Sequence, residues 1–206
     1  MENPEVNCTA CGASFTLANR FVKLVICEYC GTTSSVGADG LDPKGKTSKL
    51  PDFPSLFFLG AKGTVMSKRF LAQGRLRFDY NSGFWDEWYL VFEDGDAGWM
   101  HEDEGEYTLF IKEEPKGNIP AFENITVGMK YDINRYDVFI VEKRTCVIVG
   151  GEGQLEKLTM PGETIPFVDG NCKGKIISIE YLQDGPEICF GGIVLPKAIK
   201  IENSKT

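Results

Sequence analysis

Phe84-Trp85-Asp86-Glu87-Trp88-Tyr89-Leu90-Val91-Phe92 decides the fold class of this chain. Seven of these nine residues are aromatic or aliphatic, and the run lies between two groups of turn formers, Asn81-Ser82-Gly83 and Asp94-Gly95. Large rings and β-branched side chains suit a pleated surface, so the run is predicted to be a strand. Alternation sends Phe84, Asp86, Trp88, Leu90 and Phe92 to one face and Trp85, Glu87, Tyr89 and Val91 to the other. Both faces are largely apolar, which predicts a strand held between two layers. Glu87 shares its face with two large rings, where a desolvated carboxylate needs a partner. Arg75 or Arg77 on the preceding strand is the expected one, because cross-strand neighbours lie within side-chain reach.

The same reading extends outward. Strands are expected near 70–78, 97–100, 107–112, 138–149, 164–168, 175–181 and 188–194, with further turns at Gly150-Gly151, Asp169-Gly170 and Asp184-Gly185. Leu59-Gly60-Ala61-Lys62 returns 68 residues later as Val127-Gly128-Met129-Lys130, and an aromatic-led strand follows each. The expectation is an all-β protein: an N-terminal zinc ribbon over 1–36, a Gly/Pro/Lys-rich linker over 37–54, and two related small barrel- or sandwich-like β units over 55–120 and 121–206.

Within 1–36, Cys8-Thr9-Ala10-Cys11-Gly12 and Cys27-Glu28-Tyr29-Cys30-Gly31 are paired C-x-x-C-G turns. Each turn aims two thiolates at one point, and two turns complete the tetrahedron that zinc prefers. Cys8, Cys11, Cys27 and Cys30 are therefore the expected ligands of a structural zinc. A closed four-thiolate site has no open coordination position and cannot activate water. The start, MENPEVNC, has neither the charged nor the apolar region of a secretion signal, no apolar run is long enough for a membrane span, and the seven cysteines are odd in number. Together these predict a reducing, cytoplasmic setting.

The net charge is −8, and residues 1–50 balance, so all of the excess follows them. No dense basic face stands out, which argues against a nucleic-acid partner. Asp86 to Glu114 holds eleven acidic residues against one base, Lys112. Carboxylates among Trp85, Trp88 and Trp99, with Asp86 and Glu87, are what a site for a polyamine-like organic cation would offer. Other candidate chemistry fades on context. Gly40 to Thr47 matches a phosphate-loop pattern letter for letter, but Pro51 and Pro54 break the helix such a loop needs, and the segment is read as solvated linker. His101, the only histidine, is expected at a surface strand end, and no Ser or Cys nucleophile stands beside it in sequence. Cys146, Cys172 and Cys189 are read as buried, inert thiols, and Gly150-Gly151-Glu152-Gly153 as a hairpin turn.

Several separated motifs, in order, resemble one bacterial family. These are Trp85-Asp86-Glu87-Trp88-Tyr89-Leu90, Asp94-Gly95 with Gly98-Trp99, Gly151-Glu152-Gly153, Pro161-Gly162-Glu163 with Phe167-Val168-Asp169, and Ile179-Glu180-Tyr181 with Asp184-Gly185-Pro186-Glu187. They are similar to the family called domain of unknown function 4178, over about residues 55–200, in which a preceding zinc ribbon is a common arrangement. The family has no established activity. Its members tend to be encoded beside phage-shock-type membrane-remodelling proteins and spermidine-synthase-like proteins, so the resemblance implies a non-catalytic adaptor that binds protein partners, an accessory factor in a membrane-stress or membrane-associated complex.

Overall fold

The computed structural model describes residues 4–38, 40–46, 50–81 and 83–205. The ribbon comprises β1 (Glu5–Asn7), β2 (Ser14–Thr16), β3 (Leu24–Ile26), β4 (Thr32–Gly37) and β5 (Gly40–Lys46). After it come β6 (Lys62–Val65), β7 (Lys68–Asp79), β8 (Phe84–Phe92), β9 (Ala97–Asp103), β10 (Glu106–Glu113), β11 (Lys130–Ile133), β12 (Tyr136–Leu155), β13 (Thr164–Cys172), β14 (Lys175–Leu182), β15 (Gly185–Ile193) and β16 (Ile199–Ile201). Only two single-turn 3-10 segments interrupt the strands of the described residues.

Eight of these strands close on themselves. Around the ring the order is β7-β8-β9-β10-β15-β14-β13-β12, and β12 pairs back to β7. Every neighbouring pair is antiparallel. Closure removes the exposed edges that an open sheet must protect. An antiparallel barrel of eight strands has an interior just wide enough for side chains or one small ligand.

The two units expected over 55–120 and 121–206 do not close separately. Each supplies a four-stranded meander, and the two meanders together make the one barrel. Their likeness is detailed. The hairpins β6–β7 and β11–β12 share a register, Lys62 opposite Leu71 and Lys130 opposite Phe139. Both turn through two left-handed residues, Met66-Ser67 (φ 48° and 66°) and Asn134-Arg135 (φ 54° and 68°), the backbone of a two-residue hairpin loop. Gly60 and Gly128 sit at φ 82° and 84°, and bulges follow Ala72 and Ile140. All these positions differ by the 68 residues of the sequence echo.

Each bulge turns its strand over, so residues before it face outward and later ones of the same parity face inward. This gives two equivalent cores outside the barrel wall. Phe57, Val65, Phe70, Ala72 and Trp88 build one, and Ile125, Ile133, Val138, Ile140 and Val168 build the other. A third cluster, with Phe78, Trp85, Tyr89, Trp99, Ile148 and Phe167, lies within the barrel. The prediction that β8 lies between two layers therefore holds.

Three local expectations are corrected. Gly150-Gly151 is not a turn but the interior of the 20-residue β12, where the strand leaves β13 and crosses to β7. A Cβ on Gly151 would meet Arg75 O at 2.7 Å, and one on Gly153 would meet Gln73 O at 2.2 Å, so these glycines serve close backbone approach. Asp169-Gly170 lies inside β13, and the chain turns instead at Lys173-Gly174, φ 48° and 82°. Residues 40–46, read as linker and as a phosphate-loop match, form β5 and pair with β4. Thr47, the end of that match, lies outside the described residues.

Candidate functional sites

The two C-x-x-C turns are built alike. Gly12 N donates to Cys8 O at 2.9 Å and Gly31 N to Cys27 O at 2.8 Å, with both glycines left-handed at φ 75° and 71°. A Cβ would be strained there, which explains a glycine after each second cysteine. Cys8 Sγ lies 3.6 Å from Cys30 Sγ, Cys11 Sγ lies 3.7 Å from Cys27 Sγ, and all four sulfurs fall within 4.8 Å of one another. That spacing suits four ligands around one metal ion. The thiols are pulled in different directions: burial raises Cys27, while the hydrogen bond with the Thr32 side chain holds Cys30 down at about 6. Four thiolates this close need a cation to share.

The ribbon is continuous with the barrel. β3 pairs with the end of β12, Leu24 opposite Leu155 and Ile26 opposite Gly153, and Leu24 and Ile26 join the apolar cluster inside the barrel. Gln154 clasps the other hairpin, accepting from Ala18 N at 2.7 Å and donating to Thr16 O at 2.9 Å.

The barrel encloses a cavity of about 390 Å³. Its wall includes Trp85, Trp99, His101, Phe110 and Phe167, six carboxylates (Glu87, Asp103, Glu142, Asp169, Glu180 and Glu187), and the bases Arg144 and Lys157. At the buried end Lys157, whose side chain is 2% exposed, enters from the segment after β12. Its Nζ lies 3.0 Å from Glu87 Oε2, 2.9 Å from both Glu180 oxygens, 3.8 Å from Glu187 Oε1 and 4.6 Å from the centre of the Trp99 ring. Burial opposes the lysine's charge, but Glu180, Glu87 and Glu187 outweigh it and hold its pKa well above the ordinary value. Glu180 itself is pushed up to about 7 by burial, against the pull of Lys157. At the open end the partly exposed pair Arg144–Glu142 (3.0 Å) meets Asp103 and Asp169. Burial raises both aspartates, Asp169 to about 6. Among the described residues, two buried carboxylate oxygens facing this space, Asp103 Oδ1 and Asp169 Oδ1, accept no hydrogen bond, and Glu187 Oε1 has only its 3.8 Å ion pair with Lys157 while Lys112 donates to Glu187 Oε2.

The five residues expected around a cation are therefore divided between two faces. Trp85, Glu87 and Trp99 line the cavity. Asp86 and Trp88 point outward instead. Asp86 takes Arg77 at 2.7 and 2.6 Å and Arg75 at 3.4 Å in a buried cluster, and the Arg77 guanidinium lies over Phe53 and Phe84. Trp88 stacks on Phe57 and donates to Glu102. The expected pairing of Glu87 with an arginine is thus corrected: the bulge after Ala72 sets both arginines on the face of Asp86, and Glu87 turns inward to Lys157. His101 is also corrected, from a surface strand end to the cavity wall between Trp85 and Phe110, where burial lowers its pKa. Cys146 and Cys189 line the same wall with thiols raised by burial, Cys146 to about 12, which agrees with inert thiols. Lys157, Glu180, Glu187, Asp169 and Arg144 were not among the sequence candidates. Alternation could have placed Glu180 and Glu187 on one face of a hairpin, but nothing local marks Lys157.

A four-cysteine segment joined to a closed antiparallel barrel sets the class: an all-β protein with a thiol cluster and a cavity lined by charged side chains inside the barrel. The chain belongs to the family described as domain of unknown function (DUF4178), whose model matches residues 59–196, a span that contains the barrel and leaves out the ribbon. No curated protein matches the chain, and no solved structure does. No helix among the described residues is long and apolar enough to cross a membrane.

Proposed function

We propose that the barrel binds a small organic cation of the polyamine type in its interior, and that the four-cysteine site holds a structural zinc. The buried carboxylate oxygens of Asp103 and Asp169 that accept no hydrogen bond carry the first reading. Buried acceptors without donors are costly, and a binding site is a common reason to retain them. An ammonium entering the cavity would supply those donors, and the faces of Trp85 and Trp99 would stabilise its charge. Carboxylates line both the Lys157 end and the rim of the cavity, which favours a ligand with more than one ammonium. Four convergent thiols support zinc, with no open position for catalysis. Thiolate ligands also favour a reducing cytoplasm as the protein's setting.

Calorimetry of the full chain with spermidine, 1,4-diaminobutane and butylamine tests the cation reading. Binding of the multivalent amines, weakened by Asp169→Asn and Glu187→Gln, is the expected result. No heat from any amine at millimolar concentration would refute it.

A second reading, the adaptor with a protein partner in a membrane-stress system, draws support from one surface. Val127, Met129, Phe139 and Val141 are 50%, 56%, 42% and 44% exposed. Their first-unit counterparts Leu59 and Leu71 face the ribbon instead. Partner capture that is lost in Phe139→Glu, with the fold intact, would favour this reading.

A further inference from the structure

We infer that the metal site and the barrel cavity form one linked unit, in which loading of the four-cysteine site fixes the Lys157 end of the cavity through residues 153–157. The effect on a cavity ligand rests on the cation reading above, while the structural coupling does not.

The connection is short. Ile26 directly precedes the ligand Cys27, and β3 holds Gly153 to Leu155 by strand pairing, extended by Lys23 N donating to Leu155 O at 2.8 Å. The hairpin that bears Cys8 and Cys11 reaches the same residues through the two side-chain hydrogen bonds of Gln154. Both knuckles therefore grip the end of β12. The next residue, Glu156, accepts from Trp99 Nε1 at 3.1 Å and from Tyr89 OH at 3.4 Å. Lys157 follows and pairs with Glu87, Glu180 and Glu187.

Lys157 belongs to no strand, so the clamp on the end of β12 positions it together with the hydrogen bonds of Glu156, the Trp99 ring and its own ion pairs. The ribbon's private core is small, with Leu17, Val22 and Val25 as its buried members, and it depends on the metal for its order. Loss of the metal releases Leu24 and Ile26 from the barrel's inner cluster and frees the segment that carries Lys157. Coupling of this kind is reciprocal: whatever metal does for cavity binding, a cavity ligand does for metal retention.

The test uses the full chain, metal-loaded and chelated, followed by hydrogen exchange of the amides of 153–157, by tryptophan emission, and by titration with 1,4-diaminobutane. Chelation is expected to speed exchange at 153–157 at least tenfold and to shift the emission of Trp85 and Trp99, while β8 to β10 stay protected. Diamine affinity is expected to fall about tenfold, and the diamine to raise metal affinity by the same factor. Unchanged exchange at 153–157 would overturn the inference. Exchange that changes without diamine binding in either state would uphold the coupling and remove the cation reading. If chelation unfolds the whole barrel, Gln154→Ala decides, since it leaves all four thiols in place. Retained metal with faster exchange at 155–157 supports the coupling, and retained metal with wild-type exchange overturns it.

Discussion

In the ribbon, the ligands that meet are Cys8 with Cys30 and Cys11 with Cys27, 22 and 16 residues apart. In the barrel, Lys157 meets Glu87 across 70 residues, with Glu180 and Glu187 arriving from two further strands. The first cluster is assembled by two local turns and stays near the surface. The second exists only because a ring of eight strands closes around it. Both gather groups of like charge at one point, and both need a cation there: a metal ion in the ribbon, the chain's own ammonium in the barrel. The difference bears on robustness. A site made from turns depends on its ligand for order, whereas a site made from a closed sheet is held by the sheet and tolerates partial loss.

That contrast can be broken by experiment. The largest effect is expected from stripping the metal, or from Cys27→Ser with Cys30→Ser. Apparent metal-binding free energies of structural zinc sites are on the order of 10 kcal/mol, so the ribbon should lose its order while the barrel remains. Metal analysis finding about one zinc per chain, with exchange mapping before and after chelation, checks both parts. A ribbon that stays protected without metal would erase the distinction.

Lys157→Met should come next. It leaves Glu87 and Glu180 without their ammonium, while Glu187 keeps Lys112, a loss of about 3–5 kcal/mol, or about 10 °C in thermal midpoint for a chain of this size. Calorimetry reads it, and a shift under about 2 °C would show that the carboxylates simply take up protons.

The pH dependence is smaller, and in it the raised acids Glu180 and Asp169 work against the lowered base His101 and outnumber it. Glu180 sits at about 7 in the folded chain against an ordinary 4.5, and Asp169 at about 6 against 3.8. The folded state holds these protons more tightly, so their contribution is full below the unfolded values and is lost as pH rises through about 6 and then 7. Stability should decline across that window, and Glu180→Gln should flatten the profile. Stability that rises from about pH 5 to 8 would contradict the buried setting of Glu180.

Glu87→Gln should have the least effect. Lys157 keeps Glu180 and Glu187, so a loss of about 1 kcal/mol is expected in thermal melts. A loss as large as that of Lys157→Met would mean that Glu87 alone sustains the cluster.

The two repeats show where the sequence was readable. Their outer cores match position by position in apolar character, Val65 with Ile133 and Phe70 with Val138, because an outward face buried under a hairpin admits little else. Inside the barrel the equivalent positions have diverged. The registers around the two bulges place Glu87 opposite Leu76 in one repeat where Phe167 lies opposite Arg144 in the other. Hydrophobic pattern therefore reveals the repeated strand geometry and hides the site.

From the chain alone, the strand over Phe84 to Phe92, the 68-residue echo and the four thiol ligands could be read, because period-two alternation, turn chemistry and C-x-x-C-G geometry are all settled within a few residues. Closure could not. Nothing local says that β12 runs through Gly150-Gly151 to pair with β7, that β15 returns to β10, or that the bulge after Ala72 turns Arg75 and Arg77 away from Glu87. Those choices depend on contacts between strands distant in sequence, and they determine which carboxylates face inward. The cavity, its resident Lys157 and the clasp of Gln154 on the ribbon are products of tertiary structure for that physical reason: a side chain's face is local, but what lies across from it is not.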